Sequence, residues 1–295
     1  MHSSLSLRAI LSGSMVLALL IPFSVNSQDD DSKAIRAEVF LKARPANPSQ
    51  SSAKYRRSTK SNAPAREKVP EGMVRAELGL TMWRYRPSKG ADKAKELVEE
   101  DDGEEWTLER VPEETLFAQG QRVRLSFESL SREGYLYVID REEYADGSFG
   151  DPILIFPTQK SIDRSRVVPG RLISIPSASG RFRIKPSESA KVHVAESLTI
   201  IVSKKPLIAE AQLQPKAIKL EPAQFNQWLK LWNAAPKKFE MDGGTGLLMT
   251  KTEQTASRLE SPLLSQGDPA PQTIYQLVLK PDDPILITLP LRFAK

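Results

Sequence analysis

From Met73 onward the apolar residues of this chain come in short alternating runs, each closed by a proline or a turn signal, and that spacing confines it to β architecture. Val74, Ala76, Leu78, Leu80 and Met82 share one face of an extended run, with Trp83 and Tyr85 on the other. Val123, Leu125 and Phe127 alternate with Arg124, Ser126 and Glu128, the pattern of a half-buried strand. Tyr135–Ile139 and Ile153–Phe156 are apolar on both faces, as central strands covered on two sides are. Asp146-Gly147 between them is a turn signal, so the two runs read as a long hairpin. Further strands are expected at Leu172–Ile175, Phe182–Ile184, Leu198–Val202, Ile274–Leu279 and Ile285–Leu289, the last two joined through Pro281-Asp-Asp-Pro284. Pro157, Pro176, Pro186 and Pro206 stand at run ends, where a missing N–H does no harm. About nine short strands imply a mainly β protein, an antiparallel β-sandwich-like domain over residues 73–295.

Two stretches break the alternation. Lys89 to Asp102 is charged almost all round and reads as an exposed helix or loop. In Pro222 to Trp232, Phe225, Trp228, Leu229 and Trp232 fall at i, i+3, i+4 and i+7, with Pro222 suited to a first helical turn. Such a stripe ordinarily packs into a core; Trp228 and Trp232 become partner-docking aromatics only if exposed. Asp242-Gly-Gly-Thr-Gly246 should then return the chain to extended structure.

Residues 1–27 read as a signal peptide: Arg8 in a positive n-region, an apolar stretch from Met15 to Ile21, Pro22 as its end, and small residues before a cut after Ser27. If it stayed uncleaved, this segment would be the chain's contact with a membrane. Residues 28–72 read as a disordered basic linker. Apolar periodicity stops after Leu41, and Ala43 to Lys68 is rich in Ser, Pro, Ala, Lys and Arg, a composition with too little apolar surface to offset its ordering entropy. Lys42, Arg44, Lys54, Arg56, Arg57, Lys60, Arg66 and Lys68 face only Glu67 across that part. Arg56, Arg57 and Lys60 are therefore the candidate electrostatic contacts to an anionic envelope polymer. No nucleic acid is expected as a partner after export.

The chain has no cysteine, which excludes disulfide scaffolds, thiolate metal sites, thiol nucleophiles and a lipoprotein anchor. An exported chain without cysteine suits a bacterial periplasmic or extracellular protein. Of two histidines only His193 lies beyond the signal segment, and it reads as an exposed strand or loop residue. No G-x-S-x-G elbow, P-loop or complete dinucleotide loop is present, and the one S-x-x-K, Ser51 to Lys54, falls in the basic linker. Carboxylates remain: Asp140, Glu142, Glu143, Asp146 and Asp151 crowd the hairpin. They admit a calcium site, although the spacing is not that of an EF-hand and Arg141 opposes it, or a glycosidase-like acid pair. The simplest reading is a solvated hairpin tip, and no catalytic residue, metal ligand or cofactor is expected.

Gly134-Tyr-Leu-Tyr-Val138, Ile155-Phe-Pro157, Pro169-Gly170, Ile175-Pro176 and Ser203-Lys-Lys-Pro-Leu207 resemble the bacterial domain-of-unknown-function 4384 family, with Leu78-Gly-Leu-Thr-Met-Trp-Arg84 similar to its entry strand. The resemblance spans residues 73–207. It implies an exported β domain with an accessory or recognition role, and it brings no catalytic residue. The sequence therefore leads to an exported, non-enzymatic binding or structural module of the bacterial envelope, with an envelope polymer or another envelope protein as partner. An envelope-polysaccharide hydrolase and a calcium-dependent adhesion module are the alternatives.

Overall fold

A computed structural model describes residues 37–38, 40–46, 69–92, 95–97, 105–129, 132–176, 182–185, 189–241, 244–257 and 263–294. The strands, in chain order, are β1 (Val74–Pro87), β2 (Lys95–Leu97), β3 (Glu105–Val111), β4 (Arg122–Ser129), β5 (Gly134–Asp140), β6 (Glu142–Tyr144), β7 (Ile153–Phe156), β8 (Arg166–Val167), β9 (Ile173–Ile175) and β10 (Phe182–Arg183). After them come β11 (His193–Ser203), β12 (Ile218–Lys219), β13 (Lys237–Glu240), β14 (Thr273–Leu279) and β15 (Ile285–Arg292). Two short helices, α1 (Pro222–Leu231) and α2 (Lys251–Ala256), interrupt the strands late in the chain.

The strands form two antiparallel sheets, one of eight strands and one of seven. The first is ordered β10-β4-β1-β14-β13, with β3 continuing beside β1 where β14 leaves off. The second is ordered β12-β7-β5-β11-β15. Their inner faces bury one continuous core. Leu78, Leu80, Met82, Leu125 and Phe127 of the first sheet belong to it with Leu136, Val138, Leu198, Ile200 and Ile287 of the second. Each such side chain contributes about 1.5–3 kcal/mol by leaving water, and the period of two orders them onto one face.

Both outer faces are covered as well, which accounts for the runs that are apolar on two sides. On the second sheet, Tyr137, Ile139, Ile201 and Leu286 pack beneath α1 through Phe225 and Trp228. On the first, Trp83, Tyr85 and Leu108 pack with Met249. Residues 246–249 run beside β3, with Gly246 N donating to Arg110 O and Met249 N to Leu108 O, so the glycine-rich stretch does lead into extended chain before α2 begins. The Thr250 hydroxyl accepts from Glu253 N at 3.1 Å and the Glu253 carboxylate accepts from Thr250 N at 2.9 Å, a capping box that starts α2.

Two expectations need correction. Strand β4 is not half-buried: all eight positions are covered, because its outer face lies under other chain. Its polar side chains are held by partners there. Trp83 Nε1 donates to Ser126 Oγ at 2.9 Å, and the Arg124 guanidinium lies 5.2 Å from the centre of the Tyr85 ring. The charged stretch from Lys89, read as an exposed helix or loop, is a turn at residues 89–92 and a strand at 95–97. Residues 95–97 pair with β3, and Asp92 accepts from Arg86, from Lys89 N and from Thr107 to close the preceding turn. The two strands at the C-terminus, joined through Pro281–Pro284 as expected, lie in different sheets, and that link carries the chain from one to the other.

Within the stretch expected to be linker, residues 37–46 dock on the outer face of the first sheet. Phe40 is fully buried against Phe239 and Ile274, lying over Gly79, where a Cβ would stand 2.7 Å from its ring. Arg44 makes a two-pronged ion pair with Glu128 at 2.8 and 2.7 Å, both side chains 1% exposed. The domain therefore includes a piece of chain some thirty residues ahead of Met73.

Candidate functional site

The alternation that builds the core runs on into acids at one end of the sandwich. In β5 the inner-face residues are Leu136, Val138 and then Asp140; in β11 they are Val202, Ile200, Leu198 and then Glu196. The antiparallel register sets Glu196 opposite Glu142 of β6 and opposite Leu291 of β15. The Asp140 and Glu196 carboxyls come together there, lining one cavity and perturbing one another's titration. Burial is the largest cause for both groups. Glu196 is pushed up further by Asp140 and Glu142, to about 9, whereas Asp140, raised by burial and by Glu142 but held down by its interaction with Glu196, stands at about 6. The pair titrates as a unit.

Around this pair the polar groups are sparse. Asp140 Oδ1 and Glu196 Oε2 are buried and accept no hydrogen bond. His193 Nε2 stands 3.5 Å from Glu196 Oε1. The His193 ring packs edge-on against Phe293, with centroids 4.7 Å apart, and its side chain is 7% exposed. It is therefore a covered residue rather than the exposed one expected from its valine neighbours. Tyr144 donates its hydroxyl to Glu142, the third acid acting on the pair.

A cavity of about 80 Å³ opens beside the acid pair, lined by Asp140 and Glu196 with Ile155, Phe182, Ile184 and Leu291. That volume holds a few waters or one small polar group, well short of a drug-sized pocket. The walls are mostly apolar, with Arg183 among them, and the two acids supply the polar floor, so the site can hold a water or a small hydrogen-bond donor.

The other hairpin acids turn outward. Asp146 accepts from Ser148 N and Oγ and pairs with Lys191, which holds its carboxyl down at about 2. Asp151 pairs with Lys219 at 2.6 Å. The five acids do not converge, and among the described residues no group of three or more His, Asp or Glu side chains is placed to hold a metal ion. Glu196 was missed in the sequence because it lies 45 or more residues from the hairpin, and only sheet pairing brings it to Asp140.

Of the sequence-derived contacts, Arg56, Arg57 and Lys60 fall outside the described residues. Trp228 is buried at 8% exposure and Trp232 is half-buried, their rings stacked 5.8 Å apart in the core beneath α1. The condition for Trp228 to serve as a docking aromatic is not met. Arg44, counted with the basic stretch, is enclosed by Glu128 and the carbonyls of Ser265, Asp268 and Pro269. No family model, curated protein or solved structure matches the chain.

Proposed function

We propose that this chain is an exported, non-enzymatic binding or structural module of the bacterial cell envelope, built on a β domain of the kind that the domain-of-unknown-function 4384 resemblance implies. The observation that carries the reading is the covering of both sandwich faces by the chain's own elements, α1 on one and residues 244–257 with 37–46 on the other. Such a scaffold is a rigid carrier, and recognition then falls to the segments attached to it. The basic stretch holding Arg56, Arg57 and Lys60 lies in the sequence between residue 46 and residue 69, both of which are described parts of the domain. Its partner in this reading is an anionic envelope polymer, bound by charge.

Geometry weighs against the hydrolase alternative. Glycosidase carboxyls flank a bound sugar with about 5–9.5 Å between them, whereas the cavity beside Asp140 and Glu196 has a volume of only about 80 Å³. Calcium-dependent adhesion would need outward acids free of cations, and Asp146 and Asp151 are each already paired with a lysine.

Co-sedimentation with envelope fragments tests the proposal, comparing the mature chain with a variant carrying Arg56→Gln, Arg57→Gln and Lys60→Gln. The native chain should pellet at low salt and be released by about 0.5 M salt, and the variant should pellet less. A native chain that stays in the supernatant at low salt would refute the envelope reading.

A further inference from the structure

We propose that the outer face of the first sheet between β4, β1 and β14 is a peptide-binding groove, and that residues 37–46 of this chain are its exchangeable ligand. The contacts are of the kind by which a receptor reads a peptide. One aromatic side chain, Phe40, fills a pocket formed by Phe239 and Ile274 over Gly79. One arginine four residues on, Arg44, forms the buried two-pronged pair with Glu128 and donates to the Ser265, Asp268 and Pro269 carbonyls. The groove also reads the backbone. Gln266 Nε2 donates to the Lys42 and Arg44 carbonyls at 3.3 and 3.0 Å, and Gln266 N donates to the Pro45 carbonyl. Aromatic and arginine anchors enclosed by main-chain hydrogen bonds are what concentrate energy in peptide recognition.

Separability follows from connectivity. Residues 37–46 take no part in the pairing of either sheet, and they join the domain's sequence only through residues 47–68. Covalent linkage to the domain gives such a segment an effective concentration on the order of millimolar, so one of modest intrinsic affinity stays docked in the intact chain and becomes exchangeable once the chain between them is cut. The groove in turn has a reason to stay filled: Glu128 is buried, and its carboxyl is pushed up by that burial despite Arg44, so an empty groove leaves it without its cation. This inference is independent of the envelope reading, since it concerns a different surface and a different ligand.

The test uses the mature chain with a specific protease site placed between residues 50 and 66. After cleavage the N-terminal fragment should co-elute with the domain in size exclusion. A labelled synthetic peptide of residues 36–46 should then displace it, saturating at one per domain. Peptides carrying Phe40→Ala or Arg44→Ala should bind at least about 30-fold more weakly, as loss of one partner of a buried charge pair implies. Should cleavage unfold the domain, added peptide must restore its melting temperature. The proposal is overturned if the fragment departs and no peptide binds, or if it stays but never exchanges before the domain melts. A scrambled peptide binding as well as the native one would overturn it too.

Discussion

Gly134 opens β5 against the chain that leaves β11, so close that a Cβ there would stand 2.3 Å from the Ser203 carbonyl oxygen. The neighbour is backbone and cannot swing aside. Gly134→Ala should therefore destabilise the domain by about 1–3 kcal/mol, measured by urea unfolding at equilibrium. Arg44→Ala leaves Glu128 buried without its cation, and about 3–5 kcal/mol should be lost in the same assay. Pairing it with Glu128→Leu should recover most of that loss, because the penalty belongs to the orphaned charge. At the acid pair the sign of the pH dependence is fixed by burial. Asp140 and Glu196 face one another, Glu142 and His193, with Arg183 lining the cavity opposite. Their folded-state pKa values lie above those of the unfolded chain, so the native state binds more protons through the interval between. Stability should fall as pH rises from about 4 toward 9, by up to about 1.4 kcal/mol per pH unit for each proton held. Glu196→Gln mimics the protonated acid, so its melting temperature should hold at pH 9 where the native protein's falls. Parallel melting curves for the two proteins would show that no proton is held there.

At the scale of elements, α1 is the piece most easily read from sequence. Phe225, Trp228, Leu229 and Trp232 recur at a helical spacing, and all four join the core over the second sheet. Phe225→Ala should cost about 3–5 kcal/mol, while Leu231→Ala, at a position 61% exposed, should fall within about 0.5 kcal/mol of the native protein. The long strands are equally legible: β1 carries five alternating apolar residues from Val74 to Met82, β5 is apolar on both faces from Tyr135 to Ile139, and β11 alternates through Leu198, Ile200 and Val202. Strand β3 is not. Its sequence Glu-Trp-Thr-Leu-Glu-Arg-Val sets charged residues among too few apolar ones to stand out, and it is a strand because β1 offers it an edge from Met82 to Pro87. Short strands such as β2, β8 and β12 pair for the same reason: their partners present unfilled backbone groups.

For the whole molecule, the decisive connection is the crossing between β14 and β15, which puts the last strands into separate sheets and ties both to one core. Far-UV circular dichroism and tryptophan fluorescence should therefore trace a single coincident unfolding transition, with Trp83 reporting the outer face of one sheet and Trp228 that of the other. Two separated transitions would mean that the sheets fold independently. Truncation after Leu279 should abolish the transition, since it removes Ile285, Ile287, Leu289 and Leu291 from the shared core.

The sequence by itself determined the class of fold, because alternation, proline placement and turn residues are local and each acts on its own segment. It also excluded thiol and thiolate chemistry, through the missing cysteines. Only the tertiary structure decided which polar residues are buried. Glu128 alternates in the sequence like any solvent-facing residue, and Arg44, 84 positions away, reads as part of a basic linker until the two meet under one sheet face. Asp140 and Glu196 form a site for the same reason: sheet register is a long-range pairing, and local periodicity carries no record of which strand will lie alongside.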